Sequence, residues 1–209
     1  MRFSASLLAA CTVGITMASP VFVPSRRAFP EPVDAATATR YLSELFVQAE
    51  SNSPAYDRDL FDHWSAVEGA CNARETVLER DGENVVTDAA CKSTSGTWLS
   101  AFDGVTATDA SEISIDHMIP LKEAWVSGAR LWTDAEREAF ANDLVRPQLI
   151  AVTVEVNSSK GDKDPAEWMP PVTSYACTYV RAWIEVKHHY DLSVDEAEKE
   201  ALEGYLADC

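Results

Sequence analysis

Four cysteines, Cys71, Cys91, Cys177 and Cys209, constrain this chain most strongly, because they follow an N-terminal segment with the features of a secretory leader. Arg2 precedes an apolar run from Leu7 to Ala18 that is too short to cross a bilayer as a helix but matches a signal-peptide core. Small Thr16 and Ala18 stand two apart, which places cleavage after Ala18 and assigns residues 1–18 to the signal peptide. Residues 19–33 read as a Pro-rich extended arm in which Arg26-Arg27 offers a dibasic processing site. Cys11 leaves with the signal, so the other four meet an oxidising compartment and are expected to form two disulfides. Of the three connectivities, Cys71–Cys91 with Cys177–Cys209 is favoured, since each joins sequence neighbours across one turn or helical hairpin. The spacings contain no Cys-x-x-Cys and do not resemble a zinc ribbon.

Acidic residues outnumber Lys and Arg by 34 to 17, a net charge of −17, and losing Arg2, Arg26 and Arg27 with the leader takes this to −20. Such a chain projects no positive field, which excludes a histone-like or polybasic membrane binder. It does not exclude a nucleic-acid enzyme, because a bound divalent cation supplies positive charge locally. With 46% hydrophobic residues the chain can bury a core, and residues 34–209 are expected to form one domain, monomeric and free of the membrane once the signal is removed.

Asp34 can cap a packing helix with Tyr41, Leu42, Leu45 and Phe46 on its apolar face. Residues 70–105 read as irregular structure with short strands at Val85-Val86 and Thr97-Trp98-Leu99. Ile113-Ser114-Ile115 alternates as a strand should, Thr133 to Glu136 is a capping box opening a helix, and Leu149 to Val154 is rich in β-branched residues and reads as a second strand. Asp164 before Pro165 suits the cap of a short helix. Two C-terminal helices, one from about Ser174 and one opened by a capping box at Ser193, form a scaffold hairpin.

The chemistry concentrates where the two strands end. A hairpin followed by a helix start presents Asp116, His117 and Asn157 together, offering a carboxylate and an amide oxygen suited to Mg²⁺ or Mn²⁺ beside an imidazole able to take a proton near neutral pH. Lys160, Lys163 and Arg74 are the cations that could meet a phosphate. Glu123 and Asp143 read as solvent-facing helix residues, and His63-Trp64 and His188-His189 as scaffold. The segments Asp116-His117-x-x-Pro120-Leu121, Glu123-Ala124-Trp125, Ser127-Gly128-Ala129, Phe140 to Asp143 and Asn157-x-x-Lys160-Gly161-Asp162-Lys163-Asp164-Pro165-x-Glu167-Trp168 resemble secreted His-Asn-His (HNH) endonuclease family proteins related to the C-terminal domain of GmrSD-type restriction enzymes. The resemblance extends more loosely from Tyr56 to Cys209. It implies an α+β fold, with a ββα-metal core embedded in a mainly helical, disulfide-stapled domain. It also implies Asp116 and Asn157 as metal ligands, His117 as general base, and nucleic acid as substrate. The second His common in HNH helices has no counterpart between His117 and His188, leaving Asp162 or Asp164, water or substrate for the third metal position.

The leading expectation is therefore a secreted metal-dependent phosphodiester hydrolase acting on DNA or RNA. The alternative is a secreted, disulfide-stapled binding or effector protein on a non-catalytic HNH fold. A zinc hydrolase built on His117 with His188 or His189 lacks a His-Glu-x-x-His helix. Asn157-Ser158-Ser159 is also a glycosylation sequon, and a metal-binding Asn157 requires it to remain unmodified.

Overall fold

The computed structural model describes residues 28–209, so the signal peptide and the dibasic site lie outside the described residues. Residues 28–34 run without regular structure along the body, where Phe29 and Val33 pack on the main core and the Val33 amide donates to Glu185. Helix α1 (Ala35–Glu44) opens on Asp34, whose carboxylate accepts the Thr37 amide and so satisfies a free first-turn donor.

Residues 66–107 are more ordered than their sequence suggests. Strands β1 (Ala66–Glu68) and β2 (Cys71–Asn72) form a small antiparallel pair, and helix α2 (Ala73–Asp81) follows, capped by the Asn72 side chain on the Glu75 amide. This helix carries only Val77 and Leu78 as large apolar residues, so it has no amphipathic stripe to announce it. Both are buried beneath a three-stranded antiparallel sheet of β3 (Glu83–Thr87), β4 (Ser93–Leu99) and β5 (Thr106–Ala107). Trp98 donates its indole N–H to the Leu78 carbonyl at 2.8 Å, and a Cβ at Gly96 would stand 2.6 Å from its ring, so only glycine permits this approach.

The centre of the molecule is the antiparallel pair β6 (Ile113–His117) and β7 (Leu149–Thr153), in register from Ile113 opposite Thr153 to His117 opposite Leu149. Ile113, Ile115, Leu149 and Ala151 belong to the core under α2 and Trp98, whereas Ile150 and Val152 belong to the main helical core. The pair is therefore buried on both faces, which is why β7 reads as a continuous apolar run. Between the strands lie α3 (Leu121–Val126) and α4 (Asp134–Ala141), the latter opened by the expected reciprocal capping box of Thr133 and Glu136. Helix α5 (Val154–Lys160) begins at the residue after β7, with Thr153 as its cap. Asp164 accepts the Ala166 and Glu167 amides, but the segment makes a turn and not the expected helix.

Helices α6 (Ala176–His189) and α7 (Glu196–Leu206) pack with α1 into the helical layer. The cap of α7 is Asp195, not Ser193: the Ser193 hydroxyl is engaged by the Ser127 carbonyl and cannot serve the helix. Disulfides join Cys71 to Cys91 and Cys177 to Cys209, the pairing of sequence neighbours. The whole is an α+β fold.

Glu123 departs from its surface reading. It is buried, and its carboxylate accepts from Lys187 Nζ at 2.7 Å, as does Glu198 from α7, while the same ammonium donates to the Ser193 carbonyl. One ammonium answers two carboxylates here, and burial pushes Glu198 up to about 7. Lys187→Met removes the cation that these buried acids share and is expected to cost about 3–5 kcal/mol at pH 8. The loss should shrink at pH 5.5, because Glu198 is then protonated; urea denaturation at the two pH values measures both.

Candidate active site

Helix α5 reads the face of β6 by matching two repeats. Residues three apart on a helix share a face, as do residues two apart on a strand, so Asn157 and Lys160 meet Ser114 and Asp116. Asn157 Nδ2 donates to Ser114 Oγ at 2.7 Å. Lys160 Nζ donates to both oxygens of Asp116, at 2.9 and 2.8 Å, and to the His117 carbonyl at 2.7 Å. Gly161, at φ 59, then turns the chain away from the helix.

This geometry revises two expectations. Asn157 lies inside α5 and not at the end of a strand, because Thr153 caps the helix four residues earlier. Lys160 is wholly buried on Asp116 and is not available as a surface phosphate contact. Burial pushes the Asp116 carboxyl up and the Lys160 ammonium down, and each is drawn back by the other's charge.

Asp116, His117 and Asn157 line one cavity of about 310 Å³ together with Arg58, Trp64, Arg74 and Asp162. His117 is buried, and its Nε2 lies 2.9 Å from the Ala141 carbonyl at the end of α4. A carbonyl can only accept, so Nε2 carries the proton and Nδ1 is left as the basic nitrogen. Burial lowers the imidazole to about 3, aided by nearby Arg58, Lys160 and His63, so the ring is neutral at physiological pH.

Arg74 reaches the cavity, with one guanidinium nitrogen 2.8 Å from Glu75. Lys163 does not: its ammonium donates to the Ser159 carbonyl and borders a separate cavity with Glu50, Lys122 and Glu123. Asp162 lines the site and pairs with Lys122 at 3.2 Å, whereas Asp164 belongs elsewhere. Among the described residues, the acidic groups whose oxygens converge within 4.8 Å are Glu50, Asp164 and Asp195, and burial with the Glu123 charge lifts the Glu50 carboxyl to about 7. His188 stacks on Tyr41 and pairs with Glu44, away from His117, which removes the geometry a zinc site on both would need.

Arg58 and Trp64 are cavity residues that no sequence motif flags. Arg58 sits in a single 3₁₀ turn some sixty positions before the Asp-His pair, where nothing periodic marks it. Trp64 has φ 66, a left-handed backbone uncommon for a bulky residue, and its ring centroid lies 5.6 Å from that of His117. For the buried Lys160 the sequence does hold a signal: Asn157 and Lys160 stand one helical turn apart, the spacing that matches Ser114 and Asp116 on a strand.

The Asn157 sequon meets this geometry directly. A glycan attaches through the amide nitrogen, which is half-buried and committed to Ser114. The secreted protein is expected to carry no glycan at Asn157, as intact mass before and after glycosidase treatment would show. Near-complete occupancy in a cleaving preparation would remove this side chain from the site.

The family described as GmrSD restriction endonucleases, C-terminal domain, matches residues 75–204. A relative from Arthroderma benhamiae (strain ATCC MYA-4681 / CBS 112371), named only as an uncharacterized secreted protein, is 51% identical over 204 residues, covering 98% of this chain and 97% of its own. No solved structure matches. The chain is a secreted member of the GmrSD restriction endonuclease C-terminal domain family.

Proposed function

We propose that the protein is a metal-dependent endonuclease that hydrolyses phosphodiester bonds, with β6, β7 and α5 as an HNH-type ββα core. The observation that carries this reading is the convergence of Asp116, His117 and Asn157 on one cavity that also holds Arg58 and Arg74. The donor set fits a hard divalent cation such as Mg²⁺ or Mn²⁺. Each Asp116 oxygen keeps a lone pair beyond the one engaged by Lys160, and Asn157 uses its amide nitrogen on Ser114, leaving its oxygen. When bound, such an ion would stabilise charge developing on the phosphate and its leaving oxygen.

The chain's own residues supply the rest. The Ala141 carbonyl fixes the His117 tautomer, and Nδ1 takes the proton of the attacking water. Its burial makes His117 a weak base in the resting protein, and the negative charge of an arriving phosphate strengthens it by favouring the imidazolium. Arg74 and Arg58 hold the phosphate with guanidinium groups suited to its oxygens.

One observation favours the non-catalytic binding or effector reading: the ammonium of Lys160 already occupies both oxygens of Asp116. The two readings separate when purified protein is incubated with plasmid, linear duplex, single-stranded DNA and RNA, with Mg²⁺, Mn²⁺ or EDTA. Cleavage abolished by EDTA supports the nuclease; no cleavage of any substrate supports the second reading. His117→Ala should lose about 10²–10⁴ in rate with folding retained; an unchanged rate would remove His117 as the base. Because the imidazole of the free protein stays neutral until the pH nears 3, its protonation should not lower kcat/KM between pH 8 and pH 5. An acid limb centred near the ordinary ~6.5 of histidine, absent from a control that varies metal binding, would contradict the buried ring.

A further inference from the structure

Trp64 is held in its left-handed backbone from both sides. The Ser65 amide donates to Asn142 Oδ1 at 2.8 Å, Asn142 Nδ2 donates to the Asp62 carbonyl at 2.8 Å, the Ser65 hydroxyl donates to Glu138, and the Ala73 amide donates to the Ser65 carbonyl. Three of these bonds come from the last turn of α4 and its cap, the same turn whose Ala141 carbonyl fixes His117. One short stretch of chain thus orients the imidazole and pins the indole beside it. A strained residue persists only where its surroundings over-determine it, and such residues gather at functional sites.

The indole is only half-buried. It leans on His117 with the rings 33° from parallel, and it lines the cavity alongside Arg58. Trp64 packs at the edge of the smaller core cluster with one part of its ring left open to the cavity, whereas Trp98, Trp125 and Trp183 are fully buried within the cores. Arg58 is exposed at the cavity and, among the described residues, forms no ion pair with a carboxylate. An aromatic face next to a guanidinium, beside the proposed scissile position, has the chemistry of a nucleotide site: every base has a π-face, and the phosphate beside it is an oxyanion.

We propose that Trp64 and Arg58 form a subsite for one unpaired nucleotide, with the base stacked on the indole and its phosphate on Arg58. The substrate class is then single-stranded nucleic acid, or duplex opened at an end or by extrusion of a base. This rests on the nuclease reading and adds to it a strand preference. The charge of the chain points the same way. A surface with twice as many acids as cations cannot track many duplex phosphates, whereas stacking adds affinity without requiring further positive charge.

The test is fluorescence anisotropy in EDTA at low salt, where metal-dependent cleavage is silent. The probes are labelled short oligonucleotides: a single strand, its duplex, and an abasic strand of equal length. The wild type should bind the single strand more tightly than the duplex or the abasic strand. Trp64→Ala should lose about tenfold to a hundredfold on the base-bearing strand and little on the abasic one. Trp64→Phe should retain most of the affinity, and Trp64→Leu, which keeps apolar bulk without a π-face, should behave like the alanine variant even if the latter is destabilised. Equal binding of base-bearing and abasic strands by the wild type, or a leucine variant that binds as the wild type does, overturns the subsite. Cleavage of plasmid with no dependence on Trp64 would sink the subsite and leave the nuclease standing. Trp64-dependent strand binding without cleavage in any metal would sink the nuclease and leave the subsite.

Discussion

The docking of α5 on β6 is the contact on which the site depends. Asn157 and Lys160, one helical turn apart, satisfy Ser114 and Asp116, two strand positions apart, and every one of these groups is at least partly removed from water. A buried carboxylate without a cation would be expensive, and so would a buried ammonium without an acceptor. Their mutual dependence fixes the helix in rotation as well as position, because turning α5 by one residue would strand both charges. The hairpin beneath is itself clamped between two apolar clusters, so the surface that α5 meets does not shift.

A chain this acidic spends its cations sparingly, and two of its lysines are completely buried. Lys160 answers one carboxylate and Lys187 answers two. They lie on opposite sides of the fold's logic: the first joins the helix to the strand pair that holds the site, and the second joins α3 to the C-terminal helices. Neither is a surface charge waiting for a ligand. The positive groups left beside the proposed reaction centre are arginines, whose planar, weakly hydrated heads remain effective against phosphate in a half-enclosed cavity.

Much of this was legible in the residues. Period-two alternation marked β6, the β-branched run marked β7, and side-chain caps placed α1 and α4 at Asp34 and Thr133. The neighbour pairing of cysteines also appears in the structure. What sequence concealed follows from tertiary burial. Helix α2 draws its stability from Val77 and Leu78 under Trp98 and shows no stripe. Glu123 and Lys160 are types that solvent usually claims, yet long-range partners bury them. Arg58 and Trp64 reach the cavity from distant irregular segments, and their joint placement exists only once α4 has pinned residues 62–65.

The two strands that hold Asp116 and His117 against their partner residues are separated by residues 118–148, which contain α3 and α4. The pairing is therefore closed across a long separation, at the entropic cost of a long loop, and no short fragment of the chain contains a local version of it. Nascent chains emerging from a ribosome, or fragments released by a protease, would carry the Asp-His dipeptide without its carbonyl from Ala141, its neighbouring indole or its helix. Assembly of the proposed site thus requires nearly the whole domain, so no partial chain presents its geometry.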